Sequence, residues 1–210
     1  MVKRLRTEWA VTPCSPPLIY LHCSFCRTDR PFASSGRIRL NSNGKRLDAW
    51  LIYGCSLCGK TWNRPIIERL RAADLDPVFA DQLRQNAPSL VRKLEFDLVA
   101  LKRHSERVES PAGVCTKKEI RPYLGEEVRW VDLEIRVDLP AGIRVDRLLS
   151  SELKMSRNRL QRMFADGSIS LASPHRTALK KPPGYDLSIT IRLPDSVSEE
   201  REAILSSVFR

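Results

Sequence analysis

The stretch Arg37-Ile38-Arg39-Leu40-Asn41-Ser42-Asn43-Gly44-Lys45-Arg46-Leu47-Asp48-Ala49-Trp50-Leu51-Ile52-Tyr53-Gly54-Cys55-Ser56-Leu57-Cys58 decides how the first third of the chain folds. Arg37 to Leu40 alternates polar with apolar, Asn43-Gly44 is a two-residue hairpin signal, and Leu47 to Tyr53 reads as the return strand. Cys55-Ser56-Leu57-Cys58 is the second of two Cys-x-x-Cys pairs. The first is Cys23-Ser24-Phe25-Cys26, and 28 residues separate them. A two-residue gap lets both sulfurs of a tight knuckle face one point, about 2.3 Å from a shared zinc ion, and two knuckles complete a tetrahedron. Gly59 follows the second knuckle, where a left-handed backbone without a Cβ penalty is useful. The chain then turns toward Thr61-Trp62, so the expectation is a small three-stranded zinc ribbon with Cys23, Cys26, Cys55 and Cys58 as ligands of a structural Zn²⁺.

Catalytic zinc is disfavoured, because four thiolates leave no open position for water. A thioredoxin-like dithiol is the rival use of these cysteines. It would call for one pair beside a βαβ unit, whereas this region carries two pairs and a hairpin. His22 abuts Cys23 and reads as an ordinary neighbour. Cys14 and Cys115 have no sequence partner and read as free thiols.

The run Asn41 to Tyr53, with Cys55, Cys58, Thr61, Trp62 and Asn63, resembles the bacterial family known as domain of unknown function 1062. The likeness extends through the middle to the C-terminal part. It implies architecture but no activity.

Outward from the ribbon, Pro65, Ile66, Ile67, Leu70 and Ala73 fall at helical spacing after Asn63 and predict a short capped helix. Asp76-Pro77 opens a second helix with Val78, Phe79 and Leu83. Pro88 opens a third and longest, whose Leu90, Val91, Leu94, Leu98 and Leu101 form one apolar stripe. His104 ends that helix, where a cation suits the dipole. Ser105 to Gly125, with Pro111, Gly113, Pro122 and Gly125, reads as a linker. The expected organisation is therefore a ribbon over 1–64, a helical connector and linker over 65–127, and a C-terminal module over 128–210.

In that last part Val128 to Leu139 alternates as a strand. Ser156 is a good N-cap for a helix from Arg157 to about Ala165, and Gly167 a plausible C′ residue. Leu160, Met163 and Phe164 share one side of it, with Asn158, Gln161 and Arg162 opposite. Ile169 and Leu171 begin a short strand; Tyr185, Leu187, Ile189 and Ile191 alternate as another, and a C-terminal helix follows. This arrangement resembles the S4-like RNA-binding fold, a basic helix pair followed by a β-hairpin. Ser156-Arg157 stands where that family begins its second helix, Gly167 where the helix ends, and Gly184 before the closing strand. The resemblance implies RNA contacts from Arg144, Arg147, Lys154, Ser156, Arg157, Asn158, Arg159 and Arg162. The chain departs from the family pattern at the hairpin turn, with Ser173-Pro174-His175-Arg176, and at Lys180-Lys181-Pro182-Pro183.

The formal charge of +11 is placed in keeping with this. Residues 1–64 hold 11 basic and 3 acidic side chains, and residues 144–181 hold 9 and 3, with near-neutral sequence elsewhere. Such an excess favours an anionic partner, most often nucleic acid. No apolar run approaches the ~20 residues that span a bilayer. Lys3, Arg4, Arg6 and Glu8 leave no secretory h-region, so a cytoplasmic protein with reduced cysteines is expected. The three histidines, His22, His104 and His175, form no nucleophile–base arrangement, and there is no phosphate-cradling glycine loop. The expectation is an α+β, zinc-containing RNA-binding protein and not an enzyme. The alternative is a protein-interaction adaptor using the ribbon and the helical middle; further down stands an accessory to an RNA-modifying enzyme.

Overall fold

The computed structural model describes residues 4–110, 113–120, 128–172, 179–183, 186–194 and 199–209. The chain is α+β, with two mostly antiparallel five-stranded sheets and six helices among these residues. It divides into two units. The first joins Met1–Cys14 to Ala112–Arg210; the second is the continuous Ser15–Pro111. The division thus falls elsewhere than at residues 64 and 127, because the first strand belongs with the C-terminal half.

The second unit is built on β2 (Leu18–Cys23), β3 (Thr28–Asn43), β4 (Arg46–Cys55), β5 (Thr61–Arg71) and β6 (Val108–Glu109), in the order β5-β4-β3-β2-β6. β4 obeys the period of two that places alternate side chains on opposite faces: Leu47, Ala49, Leu51, Tyr53 and Cys55 are buried. The anticipated β3–β4 hairpin is present, but its turn is Gly44-Lys45. Asn43 pairs with Arg46 as the last rung, and Gly44 at φ +60° takes the first turn position, where a Gly-first hairpin turn needs positive φ.

Over residues 66–73 the expected helix is instead the end of β5, followed by a single 3-10 turn at Ala72–Asp74. The register explains the misreading. Leu51, Ala49 and Leu47 face Arg64, Ile67 and Leu70 in turn, so β4 advances two residues while β5 advances three. Each extra residue is a β-bulge, and two in succession give the strand a spacing of three that imitates a helix. Arg69 at φ +51° sits in the second bulge, its N–H donating to the Asp48 carboxylate at 2.8 Å.

Helices α1 (Pro77–Arg84), α2 (Pro88–Glu95) and α3 (Leu98–Lys102) complete this unit. Asp76 caps α1 by accepting from the Phe79 N–H. The expected long helix from Pro88 is two: it stops at Phe96, and Asp97 restarts it by accepting from the Ala100 N–H at 3.0 Å. An Asx cap offers the backbone a competing partner in mid-stripe, which breaks the helix without breaking the stripe. Leu90, Val91 and Leu101 remain buried. The predicted linker at 105–125 carries β6 and all of β7, both edge strands too short or too polar for a period to stand out.

The first unit's sheet runs β7-β1-β8-β10-β9, from β1 (Arg4–Pro13), β7 (Val114–Ile120), β8 (Trp130–Arg136), β9 (Ile169–Leu171) and β10 (Asp186–Arg192). β1 and β8 are parallel and every other pair is antiparallel. α4 (Val145–Glu152) and α5 (Arg157–Ala165) lie between β8 and β9 in the chain, and α6 (Glu199–Phe209) follows β10. Trp9, Leu5, Leu133 and Ile135 from the strands, Leu148, Leu149 and Leu160 from α4 and α5, and Ile204 and Val208 from α6 share one buried cluster. The turn at Ser173–Arg176 and residues Gly184 and Tyr185 lie outside the described residues.

Candidate metal centre and basic helix pair

Both knuckles are laid out alike. Cys23 ends β2 and Cys55 ends β4, so sheet pairing fixes the first cysteine of each pair. Each chain then doubles back: the Arg27 N–H donates to the Cys23 carbonyl at 2.7 Å, and the Gly59 N–H to the Cys55 carbonyl at 2.9 Å. The residue closing each turn is left-handed, Arg27 at φ +55° and Gly59 at φ +74°. The role foreseen for Gly59 is thus real, and in the twin knuckle an arginine accepts the same backbone.

The four Sγ atoms lie within 4.8 Å of one another. Cys23 and Cys58 stand 3.5 Å apart, Cys26 and Cys55 4.0 Å. A tetrahedral ion with thiolates at about 2.3 Å separates its sulfurs by about 3.8 Å, so the cluster can hold one metal ion. The donor chemistry agrees. Backbone N–H groups of Cys58 and Leu57 aim at the Cys55 sulfur and pull its thiol down to about 6. The Cys26 N–H, with that of Phe25, lowers Cys23 in the same way. Burial pushes Cys26 up to about 12. A cation bound there would supply the positive charge that the desolvated Cys26 thiol lacks. His22 is not part of this cluster and has its Nδ1 3.6 Å from an Asp29 carboxylate oxygen. Trp62 packs against Tyr53 in a tilted pair with ring centroids 5.2 Å apart, and against His104 edge-on at the same distance.

Of the eight residues singled out on the helix pair, Ser156 caps α5 as anticipated, accepting from the Arg159 N–H at 3.3 Å. Gly167 takes φ +79° one residue beyond the C-cap Asp166. Arg147, Lys154, Arg157, Asn158 and Arg162 are exposed, Lys154 in a left-handed turn between the helices. Gln161 joins Arg157, Asn158 and Arg162 on the solvent side of α5, while Leu160 and Met163 are buried beneath it. Two residues differ from this picture. Arg144 is bound to the buried carboxylate of Asp146, which neutralises it. Arg159 is half-buried and has a partner of its own.

A hollow of about 440 Å³ between β8 and β10 is lined by Glu134, Ile135, Arg136, Asp186, Leu187 and Ser188. It brings together neither cysteine nor histidine. No helix among the described residues is long and apolar enough to cross a membrane.

Sequence reasoning missed two buried cations. Arg64 is 3% exposed, and the Lys118 side chain 9%. Each depends on carbonyls and carboxylates from elements distant in sequence, which no local pattern signals.

The chain is an α+β protein in which four cysteines gather closely enough to hold one metal ion. It belongs to the family described as a protein of unknown function (DUF1062), whose model matches residues 40–175. No curated protein and no solved structure matches the chain.

Proposed function

We propose that the chain is a structural-zinc protein that binds structured RNA, ribosomal or transfer RNA being the class, through phosphate and shape. The observation that carries this reading is the solvent face of α5, where Arg157, Asn158, Gln161 and Arg162 stand together, with exposed Lys154 preceding the helix and exposed Arg147 on α4. Helix pair, then β9–β10 hairpin, is the element order that made this region resemble the S4-like fold. Duplex RNA hides its major-groove edges, so arginines that meet phosphates, with amides that meet 2′-hydroxyls, suit backbone and shape recognition. Tetrahedral all-thiolate coordination with no open position is the donor set of a structural zinc. Its role is to join the two knuckles.

The test is a gel-shift titration against a structured RNA at several salt concentrations. Affinity is expected to fall steeply with salt. Arg157→Glu with Arg162→Glu is expected to weaken binding at least tenfold and to flatten the salt dependence by about two phosphate contacts. Unchanged binding in that double variant removes the helix pair from the reading.

The second reading, an adaptor for a protein partner, draws on the knuckles. Phe25 is 76% exposed and Leu57 67%, so each knuckle carries an apolar side chain in solvent. A stoichiometric partner that survives nuclease and is lost in Phe25→Ser with Leu57→Ser would favour it.

A further inference from the structure

Cys14 and Cys115 are a hundred residues apart in sequence, and the fold brings their sulfurs to 2.9 Å. Antiparallel pairing does this. The β1–β7 register ends with Thr12 opposite Cys115 and Pro13 opposite Val114, and the Cys14 N–H then donates to the Gly113 carbonyl at 3.0 Å. Cys14 and Cys115 are therefore diagonal neighbours on one face of the ladder. Opposite Cys14 stands Gly113, which has no side chain to come between the thiols; a Cβ there would meet the Cys14 Cβ and Sγ at 3.9 Å. Both cysteines are exposed.

The pair differs from the knuckle cysteines in what it can hold. Two thiolates flanking one zinc ion sit about 3.8 Å apart, and the knuckle pairs, at 3.5 and 4.0 Å, bracket that value. At 2.9 Å no ion fits between Cys14 and Cys115. They also lie outside the group of described residues able to gather round a metal.

We propose that Cys14 and Cys115 form an oxidisable dithiol whose disulfide closes the chain around the second unit. Cys14 is the last residue of the first unit before the chain leaves it, and Cys115 follows closely on its return at Ala112. A bond between them makes a covalent ring that contains all of Ser15–Pro111. The chemistry is thiol–disulfide exchange with a low-molecular-weight disulfide as oxidant. One protein thiolate attacks the disulfide, forming a mixed disulfide and releasing one small thiol. The second protein thiolate then attacks the mixed disulfide, forming the Cys14–Cys115 bond and releasing the other small thiol. Two protein thiols are oxidised, one small disulfide is reduced to two thiols, and both protons end on those thiols. In the reduced state the Cys115 sulfur raises the Cys14 thiol through their shared hydrogen bond, which keeps the pair docked. Oxidised, the end of β1 can no longer peel from β7, whatever happens within the ring.

The test uses the full chain in its metal-loaded form, equilibrated with mixtures of reduced and oxidised glutathione, then alkylated, digested and mapped by mass spectrometry. The expected result is near-complete loss of alkylation at Cys14 and Cys115 under oxidising mixtures. It is accompanied by a cross-linked peptide pair that dithiothreitol separates. A protease nick inside residues 15–111 should leave the oxidised fragments joined on a non-reducing gel and the reduced ones apart. In Cys14→Ser, Cys115 should carry a single glutathione and form no cross-link. Alkylation of both thiols in the most oxidising mixture overturns the proposal. So does a glutathione on each of them, or a cross-link of either to Cys23, Cys26, Cys55 or Cys58.

Discussion

The buried guanidinium of Arg64 donates from Nη1 to the Leu94 carbonyl at 2.7 Å, tying bulged strand β5 to the last turn of α2. Its other terminal nitrogen stands 3.8 Å from the Asp97 carboxylate, the N-cap of α3. One side chain thus meets the carbonyl end of α2, where a positive charge complements the helix dipole, and the carboxylate that caps α3. Replacing Arg64 by Leu keeps the volume apolar but leaves the Leu94 carbonyl with only the longer bond from the Asp97 N–H, at 3.2 Å, and Asp97 without its cationic neighbour. The expected loss is about 2–3 kcal/mol, seen as a lower urea midpoint. Arg64→Lys should recover only part of it, because an ammonium cannot span both acceptors.

Lys118 plays a comparable part in the first unit. Its ammonium lies 2.8 Å from the Ser207 carbonyl on α6, 2.8 Å from a Glu152 carboxylate oxygen at the end of α4, and 4.8 Å from the Trp9 ring centroid. Lys118→Met should destabilise by about 2 kcal/mol, more than a surface pair would. A double-mutant cycle with Glu152→Gln should return a coupling of about 1 kcal/mol; additive effects would show that the carboxylate is incidental.

Acid should weaken the first sheet through Asp132. Arg4 grips both carboxylate oxygens, at 2.6 and 2.7 Å, and Thr190 donates to one of them at 3.2 Å, so β1, β8 and β10 meet at one group. The side-chain hydrogen bonds from Arg4 hold this carboxyl below its ordinary value. A carboxyl lowered on folding adds stability that is complete above its unfolded value, near pH 4, and is lost as pH falls through the folded one. Because Arg4 is 43% exposed in its side chain, the contribution is discounted to about 1 kcal/mol. Asp132→Asn should remove that amount at neutral pH and flatten the acid limb of the stability profile.

The metal centre should titrate as well. Purified protein is expected to carry one zinc per chain, and Cys55→Ser to release it. With Cys55 drawn down to about 6, protons begin to compete for that ligand only below neutrality. Zinc release followed with a chromogenic chelator should rise as the pH is lowered and protons compete for the thiolates. A wild type that folds fully with no metal bound would refute zinc as a structural element.

What could be read in the sequence was what is local. The Cys-x-x-Cys knuckles, the β3–β4 hairpin, the Asp76 cap and the span of α5 from its Ser156 cap to Gly167 depend on residues within a few positions of one another. The α+β class followed from them. β5 failed because two bulges shifted its period from two to three, and the register that reveals this belongs to its partner strand. The single stripe from Leu90 to Leu101 hid a break, since Asp97 acts on the backbone without interrupting the apolar face. The Cys14–Cys115 contact and the roles of Arg64 and Lys118 arise only when distant segments meet. Charge placement behaved similarly: by observed unit the excess is 16 basic against 10 acidic residues in Ser15–Pro111 and 20 against 15 in the remainder.

The discontinuous first unit sets an order of assembly on the ribosome. β1 is made before the second unit, yet one of its neighbours, β7, is made about a hundred residues later, and the other, β8, later still. Meanwhile Ser15–Pro111 emerges as one continuous segment with its sheet, helices and cysteines complete. The nascent chain therefore finishes the second unit while an alternating apolar strand waits with both edges unpaired, the state most open to mispairing with another chain. Translation speed between Pro111 and Arg136 fixes how long that exposure lasts.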